Sequence, residues 1–190
     1  MGLRGTDVAR ESSDIVLADD NFSSLVNAIE EGIFVYKNTR QTSLFLVSTN
    51  FGEHFIIIIS MLFGLPLPLT ASQILWLNLV TDSVANIPLA VEPSHGDVLN
   101  NPPHKKNENI LSRKLIFLMM TIVLTMAINT FMVYIHFLPF GINKARTGAF
   151  TIMAMCQGFN MFNIRSIDRS VFTIGLFTNK LVIYAVFESL

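Results

Sequence analysis

Polar and apolar positions change rhythm along the chain. Residues 1–25 are mixed and mostly polar, with one β-branched run, Ile15-Val16-Leu17, bounded by Asp14 and by Asp19-Asp20-Asn21. That run predicts a single buried strand followed by a turn. One strand cannot make a domain, so this stretch needs partners that the sequence does not supply. From Phe22 the pattern becomes helical: Asn21 or Ser23 can cap, and Leu25, Ile29, Ile33 and Tyr36 recur at helical spacing. No breaker interrupts it through Lys37, Asn38 and Arg40 into Thr42–Phe63, a stretch long enough to cross a bilayer. A soluble stalk continuous with a membrane helix is expected.

Gly64-Leu65-Pro66-Leu67-Pro68 ends that helix, and Gln73–Val91 offers a second span with Pro88 near its end. A polar loop from Glu92 to Lys114 follows, containing Asn100-Asn101-Pro102-Pro103 and Lys105-Lys106. Leu115–Leu138 is the third expected span, Pro139–Arg146 a short turn, and Gly148–Ile164 a fourth. After the polar run Arg165–Arg169, a segment from Leu181 enters a fifth helix and reaches Leu190, too short to cross.

Composition agrees with a multi-pass membrane protein: 51% of the 190 residues are hydrophobic and 14% charged, with mean hydropathy +0.51. A net charge of −1 supplies no basic field for a polyanion, so nucleic acid is not an expected partner and membrane lipid is. The single cysteine, Cys156, excludes an internal disulfide and any CxxC metal site. Residues 1–41 carry no signal-peptide pattern, which puts the N-terminus on the cytoplasmic side. Loops 92–114 and 165–180 then hold seven cations on that side, against two outside, Lys144 and Arg146.

A carboxylate at bilayer depth costs about 2.5–3.5 kcal/mol on insertion scales, so it persists where it has a partner or a task. Glu53 and Asp82 are those carboxylates. Asn50 and Glu53 share one helical face; Asn78, Thr81 and Asp82 share another on the next span. A short connecting loop makes the two spans antiparallel neighbours, and both sets lie at a similar distance from the outer helix ends. Convergent carboxylate, amide and hydroxyl oxygens suit a hard cation such as calcium. No Cys or His cluster offers the ligands that copper or zinc favours. Gly52 and Pro88 are positions where a loosened backbone could free a carbonyl as a further ligand. The bland reading, that these polar residues are only interhelical hydrogen-bond glue, suits a lone Asn better than two buried charges with three companions at one depth.

Other polar residues carry less. His54 points about 100° around the helix from Glu53, and His136 sits near a span end where snorkelling accounts for it. Cys156 and the many Met and Phe residues fill apolar space. Gln157, an amide in mid-span, wants a partner; Asn129, Asn160 and Asn163 are either glue or part of a pathway.

The stretch MGLRGTDVARESSDIVLADDNFSSLVNAIEEG resembles the end of the phosphorylation domain of a P-type ATPase of the calcium-transporting subfamily. STNFGE and LWLNLVTD resemble that subfamily's fifth and sixth transmembrane helices. The resemblance covers essentially the whole chain. It implies an all-α polytopic membrane helical bundle with a short N-terminal α/β remnant of a haloacid-dehalogenase-like phosphorylation domain. Residues 1–25 would be that remnant, 26–41 the stalk helix and 42–190 the cation-transporting transmembrane domain, the spans being helices five to eight and the start of the ninth.

The same resemblance implies that Asn50, Glu53, Asn78, Thr81 and Asp82 are ligands of the transported cation, calcium foremost. The eighth helix of two-ion calcium pumps carries a Glu four residues before an NxLNS-like motif; Gln157 stands there, which removes a charge and implies one-ion or altered-ion transport. The family's DKTGT and GDGxND motifs are not in these 190 residues. The resemblance therefore implies a C-terminal piece, from a truncated or mis-started reading frame or a split gene, with no catalytic residue of its own. Its partner would be the rest of a pump: actuator, nucleotide and phosphorylation domains and the first four helices, where ATP and magnesium act. Two alternatives stay open: a non-enzymatic membrane protein, either a passive channel or a pump-interacting subunit, and a pump for manganese, sodium or protons.

Overall fold

The computed structural model describes residues 2–3, 5–93, 112–165, 167, 173, 175 and 177–189. All regular structure among them is helical: α1 (Asp7–Glu11), α2 (Phe22–Leu62), α3 (Ala71–Trp76), a π-helical segment (Leu77–Thr81), α4 (Asp82–Ala90), α5 (Arg113–Phe137), a 3-10 turn (Leu138–Phe140), α6 (Ile142–Ile164) and α7 (Lys180–Ser189). Two compact units result, one of the described residues up to Lys37 and one of those from Asn38 onward. The expected loop motif 100–103 with Lys105 and Lys106, and Arg169, lie outside the described residues.

In the first unit the expected strand is absent. Ile15 and Val16 are 68% and 42% exposed and in irregular backbone, because a lone extended run has no neighbouring strand to satisfy its N–H and C=O groups. A short helix not read from the sequence, α1, forms instead, capped by the Thr6 hydroxyl accepting from the Ala9 N–H at 3.3 Å. The turn after residue 17 is present, with Asp20 in the left-handed region at φ 52°. It feeds the start of α2, where Asn21 Oδ1 accepts from the Ser23 N–H at 3.0 Å. Asp19 supports the same turn by accepting from the Asn21 N–H at 3.1 Å and from the Ser24 hydroxyl at 2.5 Å.

In the second unit α2 and α5 carry the most apolar sequence. Phe22–Leu62 and Arg113–Phe140 are long and apolar enough to cross a membrane. The predicted unbroken helix from Phe22 is observed, and it stops where Gly64 (φ 65°) makes a left-handed cap: the Leu65 N–H bonds to Ser60 O at 2.9 Å and the Gly64 N–H to Met61 O at 3.0 Å. Thr70 and Gln73 form a reciprocal capping box that starts α3. The tight link between them is held from outside, since the Tyr134 hydroxyl donates to Pro66 O at 2.5 Å and Arg146 Nε to Leu67 O at 3.0 Å. Gly52 lets α5 approach α2: a Cβ there would lie 3.6 Å from the Met126 side chain.

The expected turn 139–146 is shorter than predicted. Pro139 in the 3-10 turn and Gly141 at φ 114° complete the reversal, so α6 starts at Ile142 rather than near Gly148. Lys144 and Arg146 are therefore helical. Gly148 faces α5 closely, a Cβ there meeting Val133 and Phe137 at 3.1 Å. The core of this unit includes Phe45, Ile56, Leu77, Leu89, Val123 and Met153, all fully buried.

The hydrogen bonds on Asp19, first from the Ser24 hydroxyl and then from the Asn21 N–H, hold its carboxyl below the usual carboxylate range. A depressed folded-state pKa makes its support of the helix start fully present above about pH 4 and lost as pH falls through the lowered value. Titration of the Ser24 amide shift by NMR is expected to report a midpoint below about 4, moving up toward that value in Ser24→Ala.

Candidate cation site

Three helices of the second unit bring their polar faces together. From α2, Glu53 is 1% exposed and Thr49 fully buried; from α4, Asp82 is 2% exposed; from α6, Gln157 is fully buried. Glu53 Oε2 accepts from Asn78 Nδ2 at 3.1 Å and its Oε1 from Gln157 Nε2 at 2.9 Å. Asp82 Oδ2 accepts from Asn50 Nδ2 at 3.4 Å and lies 3.2 Å from Thr49 Oγ1. That hydroxyl also has Phe45 O and Leu46 O at 3.1 Å, and its single proton serves one of the three. Among the described residues neither Glu53 nor Asp82 pairs with a Lys or Arg, so their charges are met by amides and hydroxyls alone.

The backbone between Asn78 and Asp82 is not an ordinary helix. Over Leu77–Thr81 it widens to a π-turn, the Asp82 N–H reaching back five residues to Leu77 O. This is a loosened stretch of backbone that the sequence did not point to. Of the two positions expected to loosen the backbone, Gly52 lies within continuous α2 against Met126, while Pro88 lies inside α4, where its missing N–H leaves the Val84 carbonyl without that helix bond. The π-turn rotates Asn78 relative to Asp82, so Asn78 meets Glu53 while Asp82 meets the Thr49–Asn50 end of the α2 face.

The side-chain amide donors of Asn50, Asn78 and Gln157 are directed at carboxylates or helix carbonyls, and several oxygens are left over. Asp82 Oδ1, Thr81 Oγ1, Gln157 Oε1 and Asn160 Oδ1 are buried with no hydrogen-bond partner among the described residues. A buried oxygen without a partner costs about 1–3 kcal/mol, and four in one region mark a place short of positive charge or donors. Among the described residues no three His, Cys, Asp or Glu side chains gather. Beside the two carboxylates, the ligands this region can offer are amide, hydroxyl and backbone carbonyl oxygens.

Of the six residues singled out from the sequence, Asn50, Glu53, Asn78, Asp82 and Gln157 hydrogen-bond within this cluster, while Thr81, next to Asp82 in the chain, is buried with its hydroxyl unpartnered among the described residues. Gln157 finds the partner a mid-span amide requires. Asn160, left open between glue and pathway, is 3% exposed and donates to Ser48 Oγ at 3.4 Å. Asn129 and Asn163 face outward instead, Asn129 bonding its own helix at Thr125 O at 2.8 Å. His54 is exposed and bonds Asn50 O at 2.6 Å, and His136 is exposed among Phe137 and Phe140. Sequence reading missed Ser48 and Thr49; Thr49 lies one turn from Glu53, a spacing that would have put it on the same face.

A family model described as "Cation transporting ATPase, C-terminus" matches residues 66–190, about two thirds of the chain and including Asn78, Thr81, Asp82 and Gln157. The chain belongs to that family. Similarity extends over the rest of its length: it is 36% identical over 203 residues to calcium-transporting ATPase 1 of Bacillus cereus, covering 97% of this chain and 23% of the relative. It is 37% identical over 193 residues to the calcium-transporting ATPase of Bacillus subtilis, covering 100% and 22%. With the human calcium-transporting ATPase type 2C member 1 the identity is 35% over 192 residues, covering 100% and 21%. The chain spans about a fifth of the length of these curated relatives. Within the cation-transporting ATPase C-terminal family, then, this chain places two carboxylates from separate helices in one buried cluster of amides and hydroxyls.

Because Gln157 is the donor to Glu53 Oε1, Gln157→Leu is expected to leave a buried charge short of a partner and to destabilise the second unit by about 1–3 kcal/mol. The matched change Asn163→Leu on the exposed face is expected to move it by under about 0.5 kcal/mol. Unfolding by SDS or heat in detergent measures both.

Proposed function

We propose that this chain is the cation-binding and translocating membrane portion of an ATP-driven pump, with calcium as the transported ion. The observation that carries this reading is the convergence of Glu53 and Asp82, on α2 and α4, with Gln157 of α6 inside one buried cluster whose unmet atoms are oxygens. An ion that takes six to eight oxygens at about 2.3–2.6 Å matches that complement, in which amides and hydroxyls outnumber carboxylates. Relatives named calcium-transporting ATPases support the choice of ion.

In this reading Asn50, Glu53, Asn78, Thr81, Asp82 and Gln157 surround the ion. The two carboxylates of this chain supply two negative charges and Gln157 none, which balances a single divalent cation without leaving a buried charge over. One calcium per copy of this chain is the occupancy these residues by themselves balance. The helices of the second unit, including α3 with α4 and α6, form a multi-pass bundle with the N-terminus in the cytoplasm. Residues 1–25 are the end of the phosphorylation domain, and residues 26–41 of α2 are the stalk. ATP and magnesium bind elsewhere in the whole pump, with the actuator and nucleotide domains and the first four helices as partners. This chain, which holds no DKTGT sequence, does not hydrolyse ATP by itself.

Equilibrium calcium binding to the chain in lipid nanodiscs tests the proposal. About one ion per chain is expected at saturation, and Asp82→Asn or Glu53→Gln is expected to weaken binding about a hundredfold or more, the scale of ~3–5 kcal/mol for removing one partner of a buried charge pair. Binding that survives both changes would discard this site.

A further inference from the structure

At the ends of these helices away from Gly64 lies a second buried polar cluster that the cation site does not include. Glu92, just beyond α4, and Arg165, at the end of α6, form an ion pair with side chains 2% and 1% exposed. The sequence pattern placed both residues in polar loops, so their burial is a correction. Glu92 Oε1 accepts from Arg165 Nη2 at 2.7 Å and from its Nε at 2.9 Å, and Oε2 accepts from Asn179 Nδ2 at 2.6 Å. Both oxygens are thus engaged within the protein. Arg165 also donates to Thr178 Oγ1 at 2.7 Å and Gly175 O at 3.3 Å, while Asn179 caps α7 by accepting from the Leu181 N–H at 3.0 Å.

The third site-bearing helix is tied in as well. On α2, Asn38 Nδ2 donates to Ala90 O at 3.0 Å and Glu92 O at 3.1 Å, and Gln41 Nε2 donates to Arg165 O at 2.9 Å. The helices that supply Glu53, Asp82 and Gln157 are therefore joined again at one end, roughly 12–22 Å along each helix from those residues. A buried ion pair is poor evidence of stability, since apolar side chains of similar volume often hold helices together as well or better. What directional bonds from a fixed guanidinium fork add is one defined arrangement of the helices they join.

We propose that the Glu92–Arg165–Asn179 cluster is a positioning device for the cation site: it sets the spacing of α2, α4 and α6, so ion affinity depends on it although none of its side chains is a ligand. This rests on the cation-site reading. The test compares calcium affinity per folded molecule with the spread of α4–α6 distances, for the full chain in nanodiscs. Distances are read by pulsed electron paramagnetic resonance between spin labels at Ile87→Cys and Phe159→Cys, both outward-facing, in a Cys156→Ala background. Glu92→Gln is expected to weaken calcium binding about tenfold and to broaden the distance distribution. The double variant Glu92→Leu/Arg165→Leu removes both charges at once; its unfolding midpoint is expected to stay near wild type while affinity falls and distances broaden as in Glu92→Gln. Unchanged affinity per folded molecule in either variant overturns the proposal, and so does weakened affinity with an unchanged distance distribution. If the unaltered chain binds no calcium, the cation-site reading fails, and the distance distributions alone decide whether the cluster positions the helices.

Discussion

Burial of two carboxylates without a nearby cationic side chain is the constraint on which the second unit depends. Glu53 and Asp82 are kept from water on separate helices, and neither has a Lys or Arg partner among the described residues. Such charges survive in an apolar bundle only when hydrogen-bond donors are brought to them from elsewhere in the chain. That requirement explains why Asn78 and Gln157 come from different helices, and why α6, distant in sequence, must pack where its amide reaches Glu53. It also explains the excess of acceptors: the donors available are fewer than the oxygens gathered.

The rest of the architecture holds three helices at a separation set by those contacts. At one end the Gly64 cap, the Thr70–Gln73 box, Tyr134 and Arg146 fix the short connection of α2 to α3. Arg146, which opposed the charge asymmetry expected of the loops, has a structural use there, binding a carbonyl that the Pro-rich connection cannot pair within itself. At the other end an ion pair and three side-chain amides join the same helices. Between the ends, Gly52 of α2 and Gly148 of α6 let α5 approach closely.

Much of the site was legible in the sequence because its signal is local. Asn50 and Glu53, and Thr81 and Asp82, betray themselves by spacing within a single apolar helix, and the cost of burying charge gives that spacing meaning. The extent of α2 was legible for the same reason. What depends on distant partners was not. Ile15-Val16-Leu17 has the composition of a strand, yet a strand is a property of a sheet, and none is present among the described residues. Glu92 and Arg165 look like loop charges until the two helix ends meet. The start of α6 was misplaced because Lys144 and Arg146 read as loop residues, whereas helix termini at an interface accept them with their heads turned outward or onto a carbonyl.

The widened turn at Leu77–Thr81 has one more implication. It holds a residue more than an α-helical turn would, so the halves of the helix on either side are out of phase by about 100°. A helix can lose such an extra residue without losing its hydrogen bonds. Deleting one position there would restore regular winding and yet swing Asn78 or Asp82 away from α2. In this stretch the number of residues, as well as their identity, decides which side chains meet α2.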